Sequence, residues 1–318
     1  MNERYSRQIL FSPIGSAGQE RLANSSVLLV GVGALGCAQG EMLARAGVGK
    51  IRLVDRDFVE YTNLQRQTLF TEDDAKERLP KAVAAKRRLS QVNSEIEIEE
   101  VIADVTNSNI ERLVAGCDLV LDGTDNFQIR YLVNDACVKA GTPWIYGAAV
   151  SSYGMTMNII PGETPCLRCI FPELPDPGSA PTCDTAGVIA PVVSRVAATQ
   201  VAEAFKLLVG DRDSLSRKLR QFDVWTNEEK AIGTGSPDPN CVTCGNRNFE
   251  FLDAGSSEFA AVFCGRDAVQ IAPNANSRLD LDQLADRLKF NFPVNQNEYL
   301  LRFSPDVFEV TVFSDGRA

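Results

Sequence analysis

The sequence predicts an α/β fold: a mostly parallel sheet with helices on both faces, followed by a small C-terminal α+β unit. Three observations predict it. Residues 26 to 160 alternate short apolar runs with helix-length stretches, a rhythm that implies parallel strands joined by helical crossovers. Glycines follow the first apolar run, where a Rossmann-like sheet carries its phosphate-binding turn. From about Phe249 the pattern changes to short strands around one helix, which reads as a separate unit.

Taken in order, V-L-L-V at 27–30 is a buried strand, and a helix follows from about Ala34 to Ala46. I-R-L-V-D at 51–55 is the second strand. Pro80 opens a helix that reaches about Asn93, since proline suits a first helical turn. I-E-I-E-E-V then alternates to Val101, and D-L-V-L-D at 118–122 is another buried strand. A helix from about Phe127 to Ala140 leads into W-I-Y-G-A at 144–148. Residues 161–185 form a long loop rich in proline and cysteine, and a strongly periodic helix spans Ala190 to Val209. The expected domains are 1–248 and 249–318. The second has strands near Ala260–Phe263, Val269–Ala272, Tyr299–Phe303 and Phe308–Phe313, and a helix near Leu281–Leu288. The chain stops just after a strand, so we expect this unit to continue in a fuller version of the protein.

Composition excludes several functions. The 318 residues are 44% hydrophobic and 23% charged, a globular balance. A net charge of -10 disfavours nucleic acid as the main partner. No apolar run approaches the ~20 residues of a membrane span, and the polar N-terminus is unlike a signal peptide. A cytoplasmic protein is expected. Histidine is absent, which rules out Ser-His-Asp and Cys-His catalysis and any histidine-ligated metal within the chain.

Gly31-Val32-Gly33-Ala34-Leu35-Gly36 is a G-x-G-x-x-G loop between strand and helix, built for close backbone approach to phosphate. Asp55, at the end of the next strand, would hold ribose hydroxyls. A nicotinamide dehydrogenase shares both features. Asn63 and Arg66, three apart on a helical turn, and Lys81 beyond them could neutralise a triphosphate, whereas singly each cation reads as a solvated surface charge. Asp122-Gly123-Thr124-Asp125-Asn126 ends a strand at its ligand-facing end. Asp125 could hold magnesium, while Asp122 or Asn126 could simply cap the next helix.

Nine cysteines in a cytoplasmic chain read as thiols or metal ligands. Cys37, Cys117 and Cys137 lie in apolar or helical stretches and read as core. Cys166, Cys169, Cys241 and Cys244 form two C-x-x-C pairs suited to a structural Cys₄ zinc site. Cys183, in the loop shortly before a helix, is either a reactive thiol favoured by the helix dipole or a non-essential one. Cys264 has no motif around it and reads as buried.

Together, Arg4-Tyr5-Ser6-Arg7-Gln8, G-V-G-A-L-G, V-D-R-D at 54–57, Asn63-Leu64-Gln65-Arg66-Gln67, Pro80-Lys81, D-G-T-D-N at 122–126, the two cysteine pairs and Thr182-Cys183-Asp184-Thr185-Ala186-Gly187 resemble the MoeB/ThiF family, bacterial relatives of the ubiquitin-activating enzymes. The resemblance covers roughly residues 3 to 247. It implies ATP- and magnesium-dependent adenylation of the C-terminal glycine carboxylate of a ubiquitin-like sulfur-carrier protein ending in Gly-Gly, with release of pyrophosphate. Gly31, Gly33 and Gly36 would line the nucleotide, Asp55 and Asp57 would belong to the same site, and Asn63, Arg66 and Lys81 would contact the phosphates. Asp125 would support magnesium. Arg7 would reach the ATP site of the second subunit of a homodimer, a role that spacing does not provide. Some branches of the family use a cysteine at the position of Cys183 as an acceptor for the carrier, and others dispense with it. The residues after 249 are too few for a rhodanese domain, so sulfur would come from a separate donor, a cysteine desulfurase or rhodanese. A tRNA-modifying relative that activates a small carboxylate and a non-catalytic adaptor are the alternatives.

Overall fold

The computed structural model describes residues 3–176, 182–254, 279–306, 308–314 and 316–318. They fall into two compact units, Met1–Phe259 and Ala260–Ala318.

In the first unit an eight-stranded sheet is built from β1 (Ser26–Val30), β2 (Lys50–Asp55), β3 (Glu97–Ile102), β4 (Leu119–Asp122), β5 (Trp144–Val150), β6 (Tyr153–Ile159), β7 (Lys218–Asp223) and β8 (Glu228–Gly233), in the order β3-β2-β1-β4-β5-β6-β7-β8. The first five are parallel and the last three antiparallel. Val27 to Val30 are all buried because both faces of β1 are covered. Leu28 and Val30 join the core beneath the helix Phe127–Ala140, while Leu29 meets the helix Ala34–Ala46 on the other face. Helices Lys81–Val92 and Ala190–Val209 share that second face.

Most of the parallel half follows the expected elements. Pro80 is a difference: with φ −55° and ψ 135° it precedes the helix instead of occupying its first turn, bridged to Phe58 while Lys81 N donates to Asp57 O. Strands β6 to β8 were not expected. β8 is exposed along its whole length and β7 buries only Leu219 and Phe222, so neither shows the apolar run of a central strand.

The expected boundary at 248 also moves. The helix Glu250–Asp253 packs on Phe127–Ala140, with the Phe251 ring 5.1 Å from Tyr131 and Phe251 N donating to Asp135 (2.9 Å). Its apolar residues find their cover in the large unit, so the chain stays there beyond residue 248.

The second unit contains the helix Leu281–Leu288, capped by Asp280, and an antiparallel sheet of β9 (Val294–Gln296), β10 (Leu300–Phe303) and β11 (Val310–Phe313). Leu281, Ala285 and Leu301 form its core. The expected strands near 260–263 and 269–272, and Cys264, lie outside the described residues. Among the described residues no helix is long and apolar enough to cross a membrane.

Asp122, at the carboxyl end of β4, is buried and fully engaged. Its Oδ2 accepts from Arg130 Nε (2.9 Å) and Gly147 N (3.2 Å), and its Oδ1 accepts from Thr124 N and Oγ1 (2.9 and 2.8 Å). Its backbone oxygen accepts from Gln39 Nε2 and Gln200 Nε2 (2.9 and 3.0 Å). Arg130→Met keeps much of the apolar stem but strands the Asp122 carboxylate in the core. A loss of about 3–5 kcal/mol is expected in denaturant unfolding followed by circular dichroism. A loss below about 1 kcal/mol would show that the pair is not required.

Candidate functional site

From β1 the chain winds outward through β2 and β3, whereas β4 and β5 lie on the other side of β1. Loops leaving β1 and β4 therefore diverge, opening a crevice at the carboxyl ends of these strands. The glycines there have two different reasons to be glycine. A Cβ on Gly31 would lie 2.8 Å from Gly123 O, one on Gly123 2.4 Å from Gly31 O, and one on Gly36 2.1 Å from Gly31 O. These three let the two loops and the helix touch. Gly33 is different, because the nearest heavy atom to its Cβ would be Gln67 Nε2 at 3.9 Å. Among the described residues nothing fills that space. Gly33 stands at the N-cap of Ala34–Ala46 with no side-chain cap, so the helix presents bare N–H groups and the positive end of its dipole. A helix end of this kind is suited to an anion.

Asp55 closes the loop from below: Oδ2 accepts from Val32 N and Oδ1 from Asp57 N, both at 2.7 Å. Burial raises its pKa above the ordinary carboxylate value, against the opposing pull of Lys81. Lys81 is itself buried, with Nζ 3.1 Å from Asp57 Oδ2. Burial alone would depress its pKa, but the charges of Asp57, Asp55 and Asp125 outweigh this and hold it above the usual lysine value. The site therefore keeps a buried ammonium, charged at neutral pH, beside an uncapped helix end. Asp57 lies against Lys81. Asp125 is exposed just beyond β4, close enough for its charge to act on Lys81.

Asn63 ends a short 3₁₀ turn, Tyr61–Asn63, and Arg66 follows it. Asn63 is buried, and its side-chain oxygen accepts from Glu60 N (3.0 Å), so it caps its own turn. Arg66 is half-buried, with Nη1 donating to Thr62 O (3.0 Å). Gln65 Nε2 reaches Val188 O (3.4 Å), which ties this segment to the loop that carries Cys183. Asn126 is a helix cap, accepting from Gln128 N (2.8 Å). Arg7 is exposed and has no ion-pair partner among the described residues.

Cys183 opens a four-residue helix capped by Thr182, and its Sγ lies 3.5 Å from Ala149 O at the end of β5. Ser151 N donates to Gly187 O (2.7 Å), fastening this loop to the same carboxyl edge of the sheet as the glycine loop.

Away from the crevice, the sulfurs of Cys166, Cys169, Cys241 and Cys244 lie within 4.8 Å of one another. Close pairs measure 3.6 Å (Cys166–Cys241), 3.4 Å (Cys169–Cys244) and 3.9 Å (Cys166–Cys169). Four thiolates about 2.3 Å from a tetrahedral ion stand about 3.8 Å apart, so the cluster fits such an ion. Each pair is a tight turn: Cys169 N donates to Cys166 O, and Gly245 N and Asn246 N donate to Cys241 O. Cys37, Cys117 and Cys137 are buried apart from this cluster, as expected.

Sequence reasoning missed Arg130, Asn134 and Asp135. All are buried on Phe127–Ala140, where every residue from 130 to 138 is buried. The available signal was a helix with no solvent face, whose polar residues must find partners inside.

The two kinds of glycine predict opposite behaviour. Gly36→Ala has no room for its methyl group and should lower the melting temperature sharply or prevent folding. Gly33→Ala should stay within about 1 kcal/mol of the parent in stability. Thermal unfolding of both variants checks this.

Comparison with known proteins agrees with this geometry. A model of the ThiF family matches residues 5–243. The sulfur carrier protein ThiS adenylyltransferase of Bacillus subtilis (strain 168) is 46% identical, over 100% of this chain and 94% of its own length. The SAMP-activating enzyme E1 of Haloferax volcanii is 38% identical over 79% of this chain and 92% of its own. Among solved structures, Escherichia coli MccB with MccA-N7isoASN superposes with a TM-score of 0.69 at 29% identity, covering 77% of this chain and 75% of that one. The chain belongs to the ThiF family.

Proposed function

We propose that the chain adenylates the C-terminal glycine carboxylate of a ubiquitin-like sulfur-carrier protein at the expense of ATP, leaving an acyl-adenylate for sulfur transfer. The observation that carries this reading is the bare helix end at Gly33 beside the buried ammonium of Lys81, an arrangement suited to a polyphosphate. The names of the relatives in Bacillus subtilis and Haloferax volcanii support the choice of carrier.

The triphosphate lies along the Gly31–Gly36 loop, with Asp55 at the ribose and Lys81, Arg66 and Asn63 toward the phosphates. Asp57 acts through Lys81, fixing its position and charge. Asp125 would hold magnesium, which adds charge neutralisation at the phosphates when bound. A glycine carboxylate is ionised at neutral pH, so it attacks the α-phosphorus without a general base, which suits a chain without histidine. One carboxylate oxygen bonds to the α-phosphorus as the bond to the bridging oxygen breaks, and pyrophosphate departs with the electron pair. Lys81 and Arg66 stabilise the charge that accumulates on it. Positioning and electrostatics supply the catalysis.

The remaining assignments belong to the same reading. The four clustered cysteines hold structural zinc, since four protein thiolates leave no open position. Arg7 completes the ATP site of a second subunit in a homodimer, in keeping with its exposed side chain. Cys183 is poised at the carboxyl edge as an acceptor for the activated carrier. Sulfur is supplied by a separate donor, and the protein works in the cytoplasm.

Pyrophosphate exchange tests the reading. With ATP, magnesium and candidate carriers ending in Gly-Gly, exchange is expected with one carrier, and Lys81→Met or Asp125→Ala should lower it by about 10²–10³-fold. ATP binding without exchange for any carrier would point to another carboxylate substrate or to an adaptor. Because the carboxylates raise the Lys81 pKa, the ammonium stays charged below the ordinary lysine value and is lost only above it. Asp57→Asn removes the strongest support, so the ammonium should be lost at lower pH than in the parent, which the alkaline pH dependence of exchange in the two proteins checks. A chelator should release about one zinc per chain and lower the melting temperature.

A further inference from the structure

Two adjacent residues of one helix hold both halves of the cysteine cluster. Asn134 Oδ1 accepts from Leu167 N (2.9 Å), inside the turn between Cys166 and Cys169. Asp135 Oδ1 accepts from Thr243 Oγ1 (2.9 Å), inside the turn between Cys241 and Cys244. Asp135 Oδ2 accepts from Phe251 N (2.9 Å), which fixes the segment following the second pair. Asn134, Asp135 and Thr243 are fully or almost fully buried, so these bonds have no competition from water. No ligand atom is involved. The bonds reach the backbone or side chain of the residue between the cysteines, where they set the path of each turn and therefore the direction of its sulfurs. Arg168, also between the first two cysteines, adds a second hold: it lies 5.7 Å from the Tyr131 ring and 5.6 Å from that of Phe251, and pairs with Glu250.

We propose that Asn134 and Asp135 are positioning residues for the metal site, a buried clamp that pre-sets two distant C-x-x-C turns at tetrahedral spacing. The proposal rests on the reading of the four cysteines as zinc ligands. Sequence separation makes the need plain. The two pairs are joined through the Ala190–Val209 helix and two strands, so neither holds the other in place locally. A rigid helix that grips both turns removes the ordering cost that an ion would otherwise meet. Partners outside the ligand set commonly contribute 10–100-fold in metal affinity.

The test uses the whole chain and zinc itself. Zinc affinity is measured by competition with a chromophoric chelator for the parent, Thr243→Val, Asn134→Leu and Asp135→Asn, and cobalt absorption spectra report the geometry of the four-thiolate site. Thr243→Val is nearly isosteric and keeps the ligands, so it remains informative if the helix variants fold poorly. Thr156→Val serves as control: it removes another buried hydroxyl, which donates to Tyr146 O (2.8 Å) and holds neither cysteine turn. Thr243→Val is expected to weaken zinc binding by about 10-fold or more and to alter the cobalt d–d bands. Thr156→Val should lower the melting temperature with neither effect. Parent-like affinity and spectra in Thr243→Val would overturn the clamp while leaving the zinc reading intact. A parent chain that binds no zinc would overturn both.

Discussion

A carboxylate buried at the end of a central strand is the constraint around which the large unit is arranged. Removing Asp122 from water is costly unless its oxygens are all satisfied. Six donors meet that demand, four on the carboxylate and two on the backbone oxygen, and they come from β5, the β4 loop and three helices. Arg130 comes from Phe127–Ala140, and the amides of Gln39 and Gln200 reach the backbone oxygen from the two helices on the opposite face. Gln200 also holds Ile145 O (3.0 Å), and Gly147 has no side chain because Gln200 occupies that space. Through its carboxylate and its backbone oxygen, Asp122 thus fixes the spacing of β4 and β5 and the depth of three helices at the sheet edge where the site lies.

The crevice inherits that rigidity. Its two loops meet through glycine backbone, leaving no slack between the β1 loop and the β4 loop. Within this frame the charges are arranged before any ligand arrives: a helix dipole at Gly33, an ammonium at Lys81, and carboxylates at Asp55, Asp57 and Asp125 that maintain that ammonium. Preorganisation of this kind suits a reaction in which the protein moves few protons and must mostly hold charge in place.

Much of this was legible in the sequence, for physical reasons that can be named. A doubly covered parallel strand cannot avoid an apolar run, so β1, β2, β4 and β5 were visible. A helix that begins on a phosphate cradle needs its glycines, and a four-thiolate cluster needs its paired spacing. The exposed antiparallel strands left no such mark, because a strand with one open face and many charges resembles a loop. That the Asn63 oxygen caps its own turn was not read from the sequence, although a short polar side chain readily serves the nearest backbone. Arg130, Asn134 and Asp135 escaped notice because their partners are distant in sequence, and only the folded chain brings them together. That the large unit gathers in Phe251 and Leu252 was not legible either, because their apolar cover lies across the chain on Phe127–Ala140.

β8 closes the sheet with one row of backbone groups unpaired within the sheet. An open edge of this sort invites self-association through strand addition. Here the strand reads Glu228-Glu229-Lys230, with Arg195 and Arg220 held against Glu229 by ion pairs of 2.6 and 2.8 Å. Two copies brought edge to edge would have to strip water from these charges and set them against their own kind. The same composition that hid β8 from view in the sequence is thus a guard against aggregation.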